Sequence, residues 1–295
     1  MEWPARTAAA VLSAMLGACL GSDPSAGDVI DGSVGSTDED LCETWLHQPP
    51  PARSWCSGLE VMDDLDGRRV AITFDDGPSS RTTPAILEAL RAANVPATFF
   101  VVGRMLEDAR QRELLREIHA DPLFHVANHS YSHPDSLMLS AEELESEVHE
   151  TNQAIREALG DPCYFPRYFR FPYGSANCRE TRAPEAYGMA VAGFDIDVAD
   201  WCYDEEGRCE ASRATWIPPE YLDDMVGFLL ARLEQEDGGI VLLHDVMPYT
   251  AAVLPELLER VRAAGFTFVR LEDLPRLNDA VNAPEPPMCC RGEIH

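Results

Sequence analysis

Lysine is missing from all 295 residues, so 23 arginines carry the whole of the fixed positive charge. That absence excludes a Schiff base to a pyridoxal cofactor, a phosphate-loop lysine and a serine–lysine dyad. Positive charge is scarce in any form: 23 basic residues against 51 acidic ones leave a formal net charge of -28. Such a surface repels phosphate backbones and anionic headgroups, which removes nucleic acid from the candidate partners. No Cys-x-x-Cys pair points to a thiolate metal site. The apolar stretch at residues 8–16 is too short to span a bilayer.

What that stretch does fit is an export signal, with Arg6 before it and small residues after it. Residues 16–19, Leu-Gly-Ala-Cys, resemble a bacterial lipobox, which is cut just before a cysteine that is then diacylated. An ordinary signal peptide with a chance cysteine is the alternative. The expected organisation is a signal peptide over 1–18, a lipid-anchored acidic tether and amino-terminal extension over 19–67, a catalytic domain over 68–276, and a cysteine-containing tail over 277–295. The mature chain is then an exported bacterial envelope lipoprotein, on the outer membrane or the cell surface. It is expected to be a monomer that touches the membrane only through Cys19. Eight cysteines remain beyond Cys19, an even number in an oxidising compartment. Short loops favour Cys42 with Cys56, Cys163 with Cys178, and Cys202 with Cys209. Cys289 and Cys290 are adjacent and pair with each other only under strain, so either could displace one of those pairings.

From residue 68 to about 274 the chain alternates β-branched or aromatic runs with amphipathic stretches. Residues 69–74, 97–102, 125–128, 168–171, 190–196, 239–243 and 267–271 read as strands, and 84–92, 106–119, 141–159, 219–234 and 250–264 as helices. Ser140 with Glu143 forms a capping box, while Gly160 and Gly265 stop their helices. Seven strands alternating with helices predict an α/β fold with a parallel sheet, either closed as a barrel or open and doubly wound. In both, the functional site lies at the carboxyl ends of the strands.

Five polar clusters fall at such ends. The first strand ends in Thr73-Phe74-Asp75-Asp76-Gly77-Pro78, where a forced turn can give two adjacent aspartates different jobs. On its own this is only a good turn. The third strand ends in Asn128-His129-Ser130-Tyr131-Ser132-His133-Pro134, and histidines four apart share one face of a helical turn, a spacing at which both can reach one ion. A carboxylate such as Asp76 would complete an open three-ligand set. Arg170-Phe171-Pro172-Tyr173-Gly174 follows the fourth strand, and a buried Arg170 needs a carboxylate, for which Asp75 is available. Asp197 to Trp201 follow the fifth strand, and Leu242-Leu243-His244-Asp245 end the sixth. His47, His119, His125, His149 and His295 read as surface or packing residues.

Taken in order, these five clusters resemble the five motifs of the polysaccharide deacetylase family, carbohydrate esterase family four, over residues 69 to 274. The resemblance implies a distorted (β/α) barrel of about seven parallel strands, as a single catalytic domain. It further implies one divalent metal, usually zinc, with cobalt or nickel as alternatives, held by Asp76, His129 and His133. Asp75 becomes the general base positioned by Arg170, and His244 the general acid partnered by Asp200. Trp201 and Leu242 shape the acetate pocket, and the backbone amide of Tyr173 helps hold the oxyanion. The implied reaction is hydrolysis of N-acetyl groups on an amino-sugar polymer or oligomer, peptidoglycan or chitin-like, with release of acetate.

Chemistry asks for the same parts. An amide is a poor electrophile and an amine a poor leaving group, so a Lewis acid, a base and an acid must meet at one bond. Acid and base must hold opposite protonation at one pH, and the pairings Asp75 with Arg170 and His244 with Asp200 push each the required way. The acidic insertion between Trp201 and Pro218 departs from the family pattern and could narrow the substrate range. Two other readings stand beside this one: a metal hydrolase acting on acetyl-xylan esters or another acyl amide, and a non-catalytic wall-binding lipoprotein.

Overall fold

The computed structural model of the protein describes residues 67–177 and 179–274. The expected signal peptide, the Cys19 anchor, the tether, the Cys42–Cys56 pair, Cys178, Cys289 and Cys290 lie outside those residues. No helix among the described residues is long and apolar enough to cross a membrane.

One sheet organises the described chain, and all its pairings are parallel. Its strands are β1 (Arg69–Asp75), β2 (Ala97–Val101), β3 (Phe124–Asn128), β4 (Tyr168–Phe169), β5 (Ala190–Val191), β6 (Ile196–Asp197), β7 (Gly238–His244) and β8 (Thr267–Phe268). Their order is β5-β4-β3-β2-β1-β7-β6, with β8 beside the first residues of β1, where β2 has not yet begun. The helices are α1 (Thr83–Ala93), α2 (Ala109–Ala120), α3 (Ala141–Leu159), α4 (Arg182–Ala186), α5 (Met225–Glu236) and α6 (Pro248–Ala263).

The strand order itself demands a barrel. β5 and β6 stand at opposite ends of the sheet, yet only residues 192–195 separate them in the chain. Such a link spans at most about 18 Å, whereas seven strands laid flat would hold their edges about 29 Å apart. The sheet therefore curls until its edges face each other, as a distorted barrel whose seam lies between β5 and β6. The sequence suggested one strand over 190–196, and here the structure differs. Around Gly193 the backbone turns its carbonyls inward: those of Ala192 and Gly193 accept hydrogen bonds from Arg170 at 3.1 and 2.7 Å instead of from a neighbouring strand.

Side-chain alternation sorts the residues of β1 between two layers. Val70, Ile72 and Phe74 point outward into the main core, against Ile86 and Leu90 of α1 and Leu254 and Leu258 of α6. Ala71 points inward among Phe100, Ala127, Tyr168 and Ile240, and Thr73 and Asp75 share its side, reaching Arg170. Burying Arg170 inside the barrel is tolerated because each of its guanidinium nitrogens has an acceptor, with Asp75 supplying the opposite charge. The guanidinium also lies 4.0 Å from the centroid of the Phe100 ring.

Local signals explain most helix ends. The Ser140–Glu143 capping box opens α3, and Gly160 closes it in the left-handed region at φ 66°. Asp108 and Asp224 cap α2 and α5, so both helices begin later than their apolar periodicity suggested. Cys202 and Cys209 are joined, with their Cα atoms 5.0 Å apart. Cys163, however, is an exposed free thiol, so the expected bridge to Cys178 is not made.

Candidate functional site

Asp75 and Asp76 are neighbours that the backbone sends to different places. Asp75 is the last residue of β1, only 3% exposed, and its Oδ1 accepts from Arg170 at 2.7 Å. Asp76 then takes φ 77°, leaving the strand alternation and carrying its carboxylate to the barrel mouth. There its Oδ1 lies 3.2 Å from His133 Nε2 and 3.6 Å from His129 Nε2. Gly77 follows, and a Cβ there would sit 2.1 Å from the buried carboxylate of Asp245, so a larger residue would displace that side chain.

His129 and His133 meet, with ring centroids 5.1 Å apart, but not on a helical turn as their spacing suggested. Residues 129–133 form an irregular loop in which Ser130 and His133 adopt φ 65° and 60°. Its hydrogen bonds explain why. The Asn128 side chain accepts the Ser130 N–H at 2.8 Å, and the Ser130 hydroxyl accepts the His133 N–H at 3.1 Å. Glu147 of α3 accepts the N–H groups of Tyr131 and Ser132 at 2.8 and 2.7 Å. His129 Nδ1 lies 2.9 Å from the Arg170 carbonyl, which can only accept, so Nδ1 carries the proton and Nε2 presents its lone pair. Burial pushes the His129 pKa down, against the pull of Asp75 and Asp76.

On the other side of the mouth, His244 ends β7 directly opposite Asp75 in the register. Its Nδ1 is 2.6 Å from Asp200 Oδ1. Asp200 is fully buried, and its Oδ2 accepts the His244 N–H at 2.7 Å and the Thr250 hydroxyl at 2.6 Å. Burial alone would lower the His244 pKa, but the charge and hydrogen bond of Asp200, with Asp75 and Asp76 beyond, raise it to about 10. Trp201 follows Asp200 in a short 3-10 turn, and Leu242, 6% exposed, is in register with Asp197 and Thr73. Tyr173 takes φ 59° and lays its ring 4.6 Å from that of His133.

Eight non-glycine residues have positive φ among those described, and five of them, Asp76, Ser130, His133, Tyr173 and Ala199, lie in these strand-end loops. Each costs on the order of 1 kcal/mol, so backbone strain is concentrated at one end of the barrel. Asp245, Thr250 and Glu147 also brace this end, a role not legible in the sequence. Asp245 is 1% exposed, accepts from Thr83 at 2.6 Å, and burial raises its pKa to about 7. Its place directly after His244 was the available signal, whereas Glu147 is one of several glutamates on an exposed-looking helix.

The donor set fits a divalent cation. One ligand atom from each of Asp76, His129 and His133 lies within 4.8 Å of the others, and Asp76 Oδ1 is buried without a hydrogen-bond partner. Burial raises the Asp76 pKa, but the imidazoles gathered around its carboxylate, His133 first and then His129 and His244, outweigh it and bring the value to about 2. An ionised carboxylate and two imidazoles at one open position match a three-ligand site.

Comparison with known proteins points the same way. The sequence profile described as "Polysaccharide deacetylase" matches residues 63–192. The peptidoglycan-N-acetylglucosamine deacetylase PgdA of Listeria monocytogenes is 32% identical over 217 residues, 73% of this chain and 40% of the relative. The chain thus spans about two fifths of that relative's length. A chitooligosaccharide deacetylase of Bradyrhizobium is 36% identical over 186 residues, 63% of this chain and 74% of the relative. Among solved structures, a carbohydrate esterase family 4 pseudoenzyme of Bacillus anthracis superposes with a TM-score of 0.56 at 25% identity, covering 71% of this chain and 66% of that one. A relative so similar over so much of its length leaves no doubt of kinship: the chain belongs to the polysaccharide deacetylase family.

Proposed function

We propose that the protein is a metal-dependent hydrolase that removes N-acetyl groups from an amino-sugar polymer, peptidoglycan or a chitin-like oligomer, in the bacterial cell envelope. The observation that carries this reading is the meeting of two charged pairs, Arg170 with Asp75 and Asp200 with His244, at the same strand ends as the Asp76, His129 and His133 triad. A divalent cation held by that triad, zinc or else cobalt or nickel, would polarise the amide carbonyl and acidify water. Asp75, with one oxygen fixed by Arg170, accepts the proton of the attacking water. The backbone N–H of Tyr173 stabilises the oxyanion, and Trp201 and Leu242 enclose the acetyl methyl. His244, kept protonated by Asp200, delivers a proton to the departing amine.

Location follows the same reading. The Cys202–Cys209 disulfide belongs to an oxidising compartment, which supports export by the 1–18 signal, and the proposed anchor is Cys19 of the lipobox-like run. A non-catalytic role has a precedent in the fold, since the Bacillus anthracis neighbour is a pseudoenzyme. Here both charged pairs and the whole triad are in place, which favours catalysis.

Acetate release from N-acetylglucosamine oligomers, peptidoglycan and acetylated xylan, with and without chelator, tests the proposal. Turnover on the first two, abolished by chelation, is the expected result. Release from xylan alone would make the enzyme an esterase, and no release from any would make it a binding protein. Within the aspartate pair, Asp75→Asn should keep the metal and lose at least about 100-fold in rate, while Asp76→Asn should lose the metal. Metal content that fell with Asp75→Asn and survived Asp76→Asn would exchange the two roles.

A further inference from the structure

Among the described residues four large apolar side chains are exposed: Leu137, Met138, Tyr173 and Trp216. All four lie in loops beyond the carboxyl ends of strands, Leu137 and Met138 after β3, Tyr173 after β4 and Trp216 after β6. An apolar fringe confined to the site end of a barrel marks where a partly apolar ligand lies.

At Trp216 the local fold enforces exposure. Ala214 and Ile217 are buried at 0% and 4%, and the Ile217 N–H bonds the Ala214 carbonyl at 3.1 Å, so Thr215 and Trp216 occupy the tip of a tight turn. Trp216 is left 52% exposed. The segment beneath it is fastened on several sides. The Cys202–Cys209 disulfide closes it, the Cys209 N–H bonds the Leu222 carbonyl at 2.7 Å, and Arg213 donates to the carbonyls of Trp201 and Cys202, each at 3.2 Å. The Trp216 ring centroid is 5.9 Å from that of Trp201, the residue after Asp200. An exposed indole therefore stands beside Trp201, which shares a 3-10 turn with Asp200, the carboxylate that holds His244.

We propose that Trp216 is a stacking platform for a pyranose ring next to the reacting sugar. The disulfide-closed insertion then selects oligomers and polymers over a monosaccharide. This inference rests on the deacetylase reading above. A pyranose offers C–H groups from its flat faces and hydroxyls from its edge, so an indole can cover the apolar face while water keeps the hydroxyls. Charge does not oppose a neutral ligand: earlier in the segment Glu205 pairs with Arg81, and Asp204 and Glu206 with Arg208, so the indole face is left to make an apolar contact.

The test compares wild type, Trp216→Ala and Trp216→Phe on N-acetylglucosamine oligomers of increasing length, reading acetate release and, separately, calorimetric binding of the pentamer to chelator-treated protein. In the wild type kcat/KM should rise with length. Trp216→Ala should lower the pentamer-over-monomer ratio of kcat/KM by about tenfold, mostly through KM, and weaken pentamer binding by about the same factor. Trp216→Phe should restore most of both. A length dependence and pentamer affinity unchanged in Trp216→Ala would overturn the subsite. Length-dependent binding that needs Trp216, in a protein that releases no acetate, would keep the subsite and overturn the deacetylase reading instead.

Discussion

Two imidazole–carboxylate pairs occupy the same barrel at different heights. His244 meets Asp200 at 2.6 Å, and His125 meets Glu272 at 3.0 Å. His244 is level with Asp75, whereas His125 pairs with Thr98, which pairs with Thr73, two residues nearer the amino end of β1. At the upper level Asp200 is pinned by the His244 ring, the His244 N–H and the Thr250 hydroxyl, and it cannot turn away. Asp75 and Asp76 add their charges there, and the imidazole stays protonated to about pH 10. At the lower level His125 leans on Tyr168, with ring centroids 5.4 Å apart, and its Nε2 is buried without a hydrogen-bond partner. The pair ties the segment after β8 to the barrel wall. The same two functional groups thus serve chemistry at one height and cohesion at the other, and what separates them is the negative charge and the opening that the strand-end loops supply.

If that contrast is right, the two histidines fail differently when replaced. His244→Ala should lower kcat by roughly 100-fold to 10,000-fold, the usual weight of a general acid. His125→Ala should leave kcat within about threefold and lower unfolding free energy by about 1–3 kcal/mol, because it leaves Glu272 without a buried partner. Equal losses of kcat in both variants, with unchanged denaturation midpoints, would erase the distinction. A smaller effect sharpens it. Asp200 raises the His244 pKa, so Asp200→Asn should move the alkaline limb of kcat/KM to lower pH, while Glu272→Gln should leave that limb in place. A limb that did not move in Asp200→Asn would remove His244 from the acid role.

The contrast also explains how much could be read beforehand. The alternation of strands and helices carried the α/β barrel, and polar residues following apolar runs located Asp75, Asp76, His129, Arg170 and His244, because strand-end position is a local property of sequence. The seam was not legible. Residues 190–196 read as one strand because the inward turn at Gly193 serves Arg170, 23 residues earlier in the chain. The loop at 129–133 read as a helical turn because spacing alone cannot reveal left-handed Ser130 and His133, held partly by Glu147. Nor could spacing show that Cys163 stays a free, exposed thiol. His125 read only as a surface or packing residue, and its partner Glu272, 147 positions away, carried no signal.

The smallest effect concerns that partner. Burial raises the Glu272 pKa, but the hydrogen bond and charge of His125 outweigh it, so the folded value lies below the ordinary 4.5. A carboxylate depressed in the folded state contributes stability above its unfolded pKa, and the contribution is lost as pH falls through the folded value. Glu272→Gln removes the contribution, so wild type should exceed the variant by about 1 kcal/mol at neutral pH. The gap should close on acidification below pH 4.5. Urea titrations of both proteins at a series of pH values would measure it. Because His244 and Asp200 lie higher in the barrel, Glu272→Gln should also keep the wild-type pH–activity profile. A gap that widened in acid would mean that Glu272 is held above its ordinary pKa and that His125 does not stabilise its charge, and the lower pair would then lose the cohesive role that sets it apart from the upper one.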